Sequence, residues 1–219
     1  SGPEDIAPAE YFWGYENMTT VKGLWAAGDA SGASSHKFSS GSVTEGRIAA
    51  KAAVRYLVKE TPAHGNLDAG EIEKIKGAVF KPLVTFEENV GKSTAPEVNP
   101  EYILPKMFMM RLQKMMDEYA GGVTAQFMTS KANLERCLEL LDWLREDSEK
   151  LGARDLHELM RCWENVHRSY QAEAHVRAML FREETRWPGY YFRTDCPTMD
   201  NDNWLCFVNV TRNTASGEW

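Results

Sequence analysis

The residues best placed to do chemistry sit near the start of the chain. In the run Gly23-Leu24-Trp25-Ala26-Ala27-Gly28-Asp29 a short apolar stretch closes on Gly-Asp, the pattern of a buried strand ending in a tight turn. Gly28 lets the backbone approach a ligand closely, and the Asp29 carboxylate can accept hydrogen bonds from ribose or ribityl hydroxyls. A loop of small residues then leads to Ser40, Ser42 and Val43 at the start of a helix. Unbonded N–H groups there can donate to anionic or carbonyl oxygens of a ligand. The loop carries His36 and Lys37. On the residues alone His36 is equally a loop hydrogen-bonder or an active-site group, and Lys37 is a solvated cation. A Gly-Asp turn before a helix also serves purely structural ends.

Metal chemistry finds no comparable signal. Cys137, Cys162, Cys196 and Cys206 lie far apart with no C-x-x-C pair, so they read as reduced thiols rather than zinc or iron–sulfur ligands. His64, His157, His167 and His175 show no metal-like pairing, and no metal site is expected.

The elements that must position these residues follow from periodicity and punctuation. Ser42-Val43-Thr44-Glu45 matches a capping box, and Ile48, Ala49, Ala52, Ala53, Tyr56 and Leu57 predict a helix to about Lys59. A short charged helix around Glu71 to Lys76 and a Pro- and Asn-containing connection to Pro100 follow. Phe108, Leu112, Met115, Met116 and Tyr119 predict the first long helix, stopped by Gly121-Gly122. Leu134, Leu138, Leu141, Leu144 and Leu151 predict a second, and Asp155-x-x-Glu158 caps a third carrying Leu159, Trp163, Val166 and Tyr170. The Met107, Met109, Met110, Met115, Met116 cluster reads as bundle core. Tyr190-Tyr191-Phe192 and residues 204–210 read as strands, followed by a turn over residues 212–217.

The expected fold class is therefore α+β and mainly helical. It comprises the strand-loop-helix end of a cofactor-binding type α/β domain (residues 1–66), a three-helix bundle (67–188) and a short carboxy-terminal β element (189–219). A lone strand and crossover helix cannot bury both faces of a sheet, so the chain reads as part of a larger protein.

Composition limits the partners. Of 219 residues 43% are hydrophobic and 26% charged, with a net charge of −7. That is globular composition, and the acidic balance argues against a nucleic-acid binder. No run reaches the roughly 18 apolar residues of a membrane span, and Ser1 to Pro8 has no signal-peptide pattern. A cytoplasmic location is expected.

Longer motifs sharpen the reading. Thr20-Val21-Lys22-Gly23-Leu24-Trp25-Ala26-Ala27-Gly28-Asp29 resembles the second FAD signature of many flavoproteins. The run Gly32 to Arg47 occupies the place of the H-G-A-N-R-L-G-G-N-S-L stretch of the fumarate reductase and succinate dehydrogenase superfamily. Here His36-Lys37-Phe38-Ser39-Ser40-Gly41-Ser42 replaces it. With Ser1-Gly2-Pro3-Glu4-Asp5 before it and Phe181-Arg182-Glu183-Glu184-Thr185-Arg186-Trp187-Pro188-Gly189-Tyr190-Tyr191 near the end, the chain resembles the flavoprotein (alpha) subunits of dissimilatory adenylylsulfate (APS) reductases.

The resemblance implies FAD held non-covalently, and a two-electron reduction of adenylylsulfate to sulfite and AMP, or its reverse. It also implies a heterodimer with an iron–sulfur beta subunit that alone carries the clusters. Gly28, Asp29, Ser40, Ser42 and Val43 would touch the cofactor, and His36 would donate to sulfate oxygens as a catalytic group. Lys37 stands where the dicarboxylate enzymes have a substrate-binding arginine. Phe86, in Lys81-Pro82-Leu83-Val84-Thr85-Phe86-Glu87, resembles a family aromatic near the adenine end of the substrate, with core packing as the plain alternative. Glu184 and Arg186 are expected as a structural ion pair between helical and flavin domains. No G-x-G-x-x-G occurs, so the pyrophosphate grip is expected upstream. The competing readings are a fumarate reductase or succinate dehydrogenase type flavoprotein, and a non-catalytic helical module.

Overall fold

The computed structural model describes residues 12–31, 38–62, 65, 68–213 and 215–219. The chain divides into two compact units, residues 1–67 and 68–219.

In the first unit, a 3₁₀ turn at Gly28–Ala30 precedes helix α1, Ser39–Glu60. Ala49 and Ala52 on α1 are buried, and Tyr15, Met18 and Ala52 form a small core with Trp25 and Tyr56 against it. Tyr56 takes edge contacts from Tyr15 at 5.3 Å and Trp25 at 5.5 Å, the arrangement that ring quadrupoles favour. The Tyr15 hydroxyl donates to Glu60 Oε1 at 2.9 Å, tying the end of α1 back to the entering chain. Thr61 adopts the left-handed region at φ 43° and ends the helix. The expected strand over residues 23–29 is reduced to a bridge between Met18 and Trp25, because a strand forms only where a neighbouring edge offers partners.

The second unit is mostly helical: α2 Ala69–Asn89, α3 Pro105–Tyr119, α4 Lys131–Ser148, α5 Leu156–Phe181 and the short α6 Asn201–Trp204. Helices α3, α4 and α5 pack on one another, and α2 packs on α5. Phe108, Leu112, Leu134, Cys137, Leu141, Cys162 and Val176 fill the core they share. Burial pushes the Cys137 thiol up to about 11 and that of Cys162 to about 12, so both pack as neutral thiols. Within the methionine cluster, Met115 and Met116 pack on this core, whereas Met107 and Met110 face solvent; successive residues at helical spacing cannot all share one buried face.

Helix α2 is longer than the sequence suggests, because it continues through Pro82. Proline supplies no N–H and crowds the preceding turn, yet tertiary bonds secure this stretch. The Trp163 indole N–H donates to Val79 O at 2.9 Å, and Ala153 N–H donates to Pro82 O at 2.9 Å. Helix α4 likewise ends at Ser148, leaving Leu151 to form a bridge with Ile103.

A two-stranded parallel sheet, β1 Met128–Thr129 and β2 Phe192–Arg193, pairs Met128 with Phe192 and Thr129 with Arg193. It is a junction of helix ends. The Thr129 hydroxyl donates to Tyr119 O at 2.6 Å at the close of α3. The Arg193 guanidinium, 1% exposed, donates to Met179 O at 2.6 Å and Arg182 O at 3.2 Å, where α5 runs out of its own donors. Asp195 accepts from the remaining two nitrogens of that guanidinium, Nε at 2.9 Å and Nη2 at 2.6 Å, and also from Lys131 N–H, the first residue of α4. The Arg193 pair holds Asp195 down at about 2, and Asp195 in turn raises Arg193.

The expected strand over residues 204–210 is not formed. Asn201–Trp204 is helical, and the carbonyls of Trp204 and Cys206 accept from Arg182 at 2.8 and 2.6 Å; a guanidinium takes the acceptors a strand neighbour would have used. Near the end of the described chain, Gly217 N–H donates to Asn213 O at 2.8 Å, and this segment is close to the expected turn. It is held to α5 by stacked cations and rings: Arg212 lies 5.4 Å from Tyr170 and 5.8 Å from Trp219, and Arg177 lies 5.5 Å from Trp219.

Glu184, 0% exposed, pairs with Arg186 and with Arg182 and accepts from Asp200 N–H at 3.0 Å. The expected ion pair is thus formed, and its partners among the described residues lie in the same unit. Burial pulls the carboxyl upward, but the bonds from Arg186, Asp200 N–H and Arg182 outweigh it and hold the group at about 2, against an ordinary 4.5. A depressed carboxylate contributes stability that is present above its unfolded pKa and lost as pH falls toward the folded one. Glu184→Gln should therefore cost about 3 kcal/mol near neutral pH, because it leaves two guanidiniums without their counter-charge. In urea unfolding, the gap between wild type and variant should shrink as pH falls from 4.5 to 2; a gap independent of pH would show that charge is not its source.

Candidate functional site

The first unit brings two of the sequence-derived site residues together. Gly28 is buried with φ +66°, and a Cβ built there would come within 3.0 Å of Ser42 Oγ. The 3₁₀ turn Gly28–Ala30 packs directly on the beginning of α1. Only glycine combines that backbone with that approach. Asp29, next in the turn, is exposed, so its carboxylate is available to a ligand.

Helix α1 starts earlier than the capping box implied. Its first residue is Ser39, and Ser42 N–H already donates to Phe38 O at 2.9 Å. Ser42 is therefore inside the helix rather than its cap. The first turn, Ser39–Gly41, retains the N–H groups that have no intrahelical acceptor. Phe38 offers no capping side chain, and the turn contains no acidic residue to offset the positive end of the helix. Ser40 and Val43 are exposed beside it.

Glu45 is the residue that sequence reading misplaced. Instead of returning to the helix start, its Oε2 accepts from Gly28 N–H at 2.5 Å, across 17 positions of sequence. No local pattern announces this bond. The only signal was an acid one helical turn beyond Ser42, and the capping-box rule accounted for it otherwise.

Of the remaining candidates, His36 and Lys37 lie outside the described residues. Phe86 belongs to the second unit, half-buried on α2, with its ring 5.1 Å from that of Tyr102. Among the described residues no group of three His, Cys, Asp or Glu side chains is arranged to hold a metal ion. No described helix is long and apolar enough to cross a membrane.

The demand on Gly28 is testable against another glycine. Gly46 in α1 has open space around a built Cβ and no positive φ. Gly28→Ala should lower stability by about 1 to 3 kcal/mol, whereas Gly46→Ala should leave it unchanged or raise it by up to about 1 kcal/mol. Urea unfolding midpoints of the two variants make the comparison, and equal midpoints would remove the constraint on the turn.

Known proteins share this architecture. Residues 109–219 match the family model for the fumarate reductase flavoprotein C-terminus. The chain is 48% identical over 204 residues to the adenylylsulfate reductase subunit alpha of Megalodesulfovibrio gigas, covering 93% of this chain and 30% of that protein. The solved adenylylsulfate reductase of the hyperthermophile Archaeoglobus fulgidus superposes with a TM-score of 0.92 at 55% identity, over 100% of this chain and 34% of that one. An adenosine-5-phosphosulfate reductase in complex with sulfite, as a covalent adduct, superposes with a TM-score of 0.91 at 54% identity and the same coverage. The chain spans about a third of the length of these relatives. With more than half of its residues inside the family match and its fold superposable on adenylylsulfate reductases, the chain belongs to the fumarate reductase flavoprotein C-terminal family.

Proposed function

We propose that this chain is the carboxy-terminal part of the FAD-carrying subunit of an adenylylsulfate reductase, which converts adenylylsulfate to sulfite and AMP or runs the reverse reaction. The observation that carries this reading is the likeness to adenylylsulfate reductases over the whole chain. The geometry of the first unit agrees with it: an exposed carboxylate on a glycine turn, set against a helix start to which Phe38 supplies no side-chain cap, suits a cofactor with both hydroxyl and carbonyl groups. The exposed apolar residues Val54 and Val58 on α1 also suit a crossover helix whose sheet belongs to a larger domain.

In this reading the residues divide the work. Bound FAD supplies the two-electron chemistry at sulfur. Asp29 accepts from ribityl hydroxyls, and the Ser39–Gly41 N–H groups, with Ser40, Ser42 and Val43 beside them, hold the polar edge of the ring system. His36 donates to sulfate oxygens as charge moves toward the departing AMP, Lys37 offsets the substrate's negative charge, and Phe86 stacks near its adenine. Electrons arrive from an iron–sulfur beta subunit in a cytoplasmic heterodimer.

Two measurements on the full-length two-subunit enzyme test this. Asp29→Ala should weaken FAD retention by about 1 to 3 kcal/mol, because the bond it removes is charge-assisted; stoichiometric flavin at unchanged affinity would count against this turn. His36→Ala should lower steady-state turnover of adenylylsulfate by roughly 10²- to 10³-fold at matched flavin content. Turnover within about threefold of wild type would return His36 to a loop-packing role.

A further inference from the structure

We infer that Glu45 is a positioning residue for the flavin half-site, setting the spacing between the Asp29 carboxylate and the first turn of α1 without touching the cofactor. The inference rests on the flavoprotein reading above and gives a part in the site to Glu45, which the capping-box motif had assigned only to the helix start.

The geometry is specific. Ser42 and Glu45 lie three residues apart on α1, hence on one face. Both meet Gly28: Ser42 by close approach at 3.0 Å from the built Cβ, and Glu45 by its bond to Gly28 N–H. The turn therefore rests on the helix at two points about one helical turn apart. A single contact would let it pivot; two fix both its distance and its tilt. Asp29, the residue after Gly28, inherits that placement, and so does its distance from Ser39–Gly41.

The bond also sorts the donors. Gly28 is buried, and a buried N–H without a partner is costly, so Glu45 removes it from competition for the ligand. The first turn contains no acidic residue, and the Glu45 carboxylate is engaged with the Gly28 turn. The positive end of α1 is therefore left to the polar edge of a ligand. Preorganised contacts bind more tightly because less freedom is lost on binding, so the loss of Glu45 should appear as lost flavin affinity.

The test uses the full-length flavoprotein subunit with its partner, stripped of flavin and titrated with FAD by fluorescence quenching, while thermal unfolding of the flavin-free protein is followed in parallel. Glu45→Ala should bind FAD about tenfold more weakly or worse, the scale of one lost hydrogen bond. Glu45→Gln keeps an acceptor oxygen at the same reach and should stay within about threefold of wild type. Reduced unfolding temperature with wild-type FAD affinity in Glu45→Ala would make the bond merely structural and overturn the inference. Equal weakening by both substitutions would also overturn it, because an acceptor for Gly28 N–H would not explain that result. A wild-type protein that bound no FAD would overturn the flavoprotein reading itself, a failure visible before any variant is compared.

Discussion

A buried guanidinium governs the second unit. Arg193 sits at 1% exposure, where an unpaired cation would be prohibitive, and its neighbours are arranged to satisfy it. Two carbonyls at the end of α5 and both oxygens of Asp195 surround its planar fork. Asp195 carries the network onward to the first N–H of α4. The paired Thr129 meanwhile closes the last turn of α3. Three helix ends that would each need separate caps thus share one polar junction, and the two-residue sheet is the frame that holds it. Lysine could not substitute, because a point charge on a flexible stem lacks the fork that meets carbonyls and carboxylate at once.

Charge does similar work beside it. Glu184 gathers Arg182 and Arg186, and Arg182 reaches on to the carbonyls of Trp204 and Cys206. The chain at Trp204 and Cys206 is therefore fixed by side-chain donors rather than by a sheet. On the other side of α5, Glu173 is buried between Arg145 and Arg177, and the Arg and aromatic stack continues to Trp219. Apolar packing builds the α3, α4 and α5 core, while paired charges attach the non-helical chain to it.

In the first unit the corresponding constraint is smaller and closer to function. A glycine in the left-handed region, a serine at contact distance and a glutamate on its N–H join turn to helix. Among the described residues, what this leaves outward is a carboxylate and a first helical turn with no side-chain cap from Phe38 and no acidic residue. The same local economy that satisfies buried backbone groups thereby defines which groups a cofactor can meet.

Helix type and the bundle core were legible in the residues themselves. Leu134, Leu141 and Leu144 recur at helical spacing, and Asp155 caps α5 as its spacing to Glu158 indicates, since both signals act within a few residues of chain. The turn at Gly28-Asp29 was equally plain, because Gly-Asp after an apolar run is a turn pattern and glycine tolerates both the positive φ and the close approach of Ser42. Three features were not. Pro82 marked a break, yet α2 passes through it because Trp163 and Ala153 bond the carbonyls nearby. Residues 204–210 had strand composition but no strand partner. Ser42 and Glu45 matched a cap, but Glu45 found a better-placed donor 17 residues back. The sequence by itself determined the helices α1, α3, α4 and α5 and the glycine turn before α1, through steric and periodic rules that reach only about one turn. Tertiary structure decided the long-range polar contacts, Glu45 with Gly28 N–H and Arg193 with the carbonyl of Met179, because those partners lie far apart in the chain and each had to be satisfied once water was excluded.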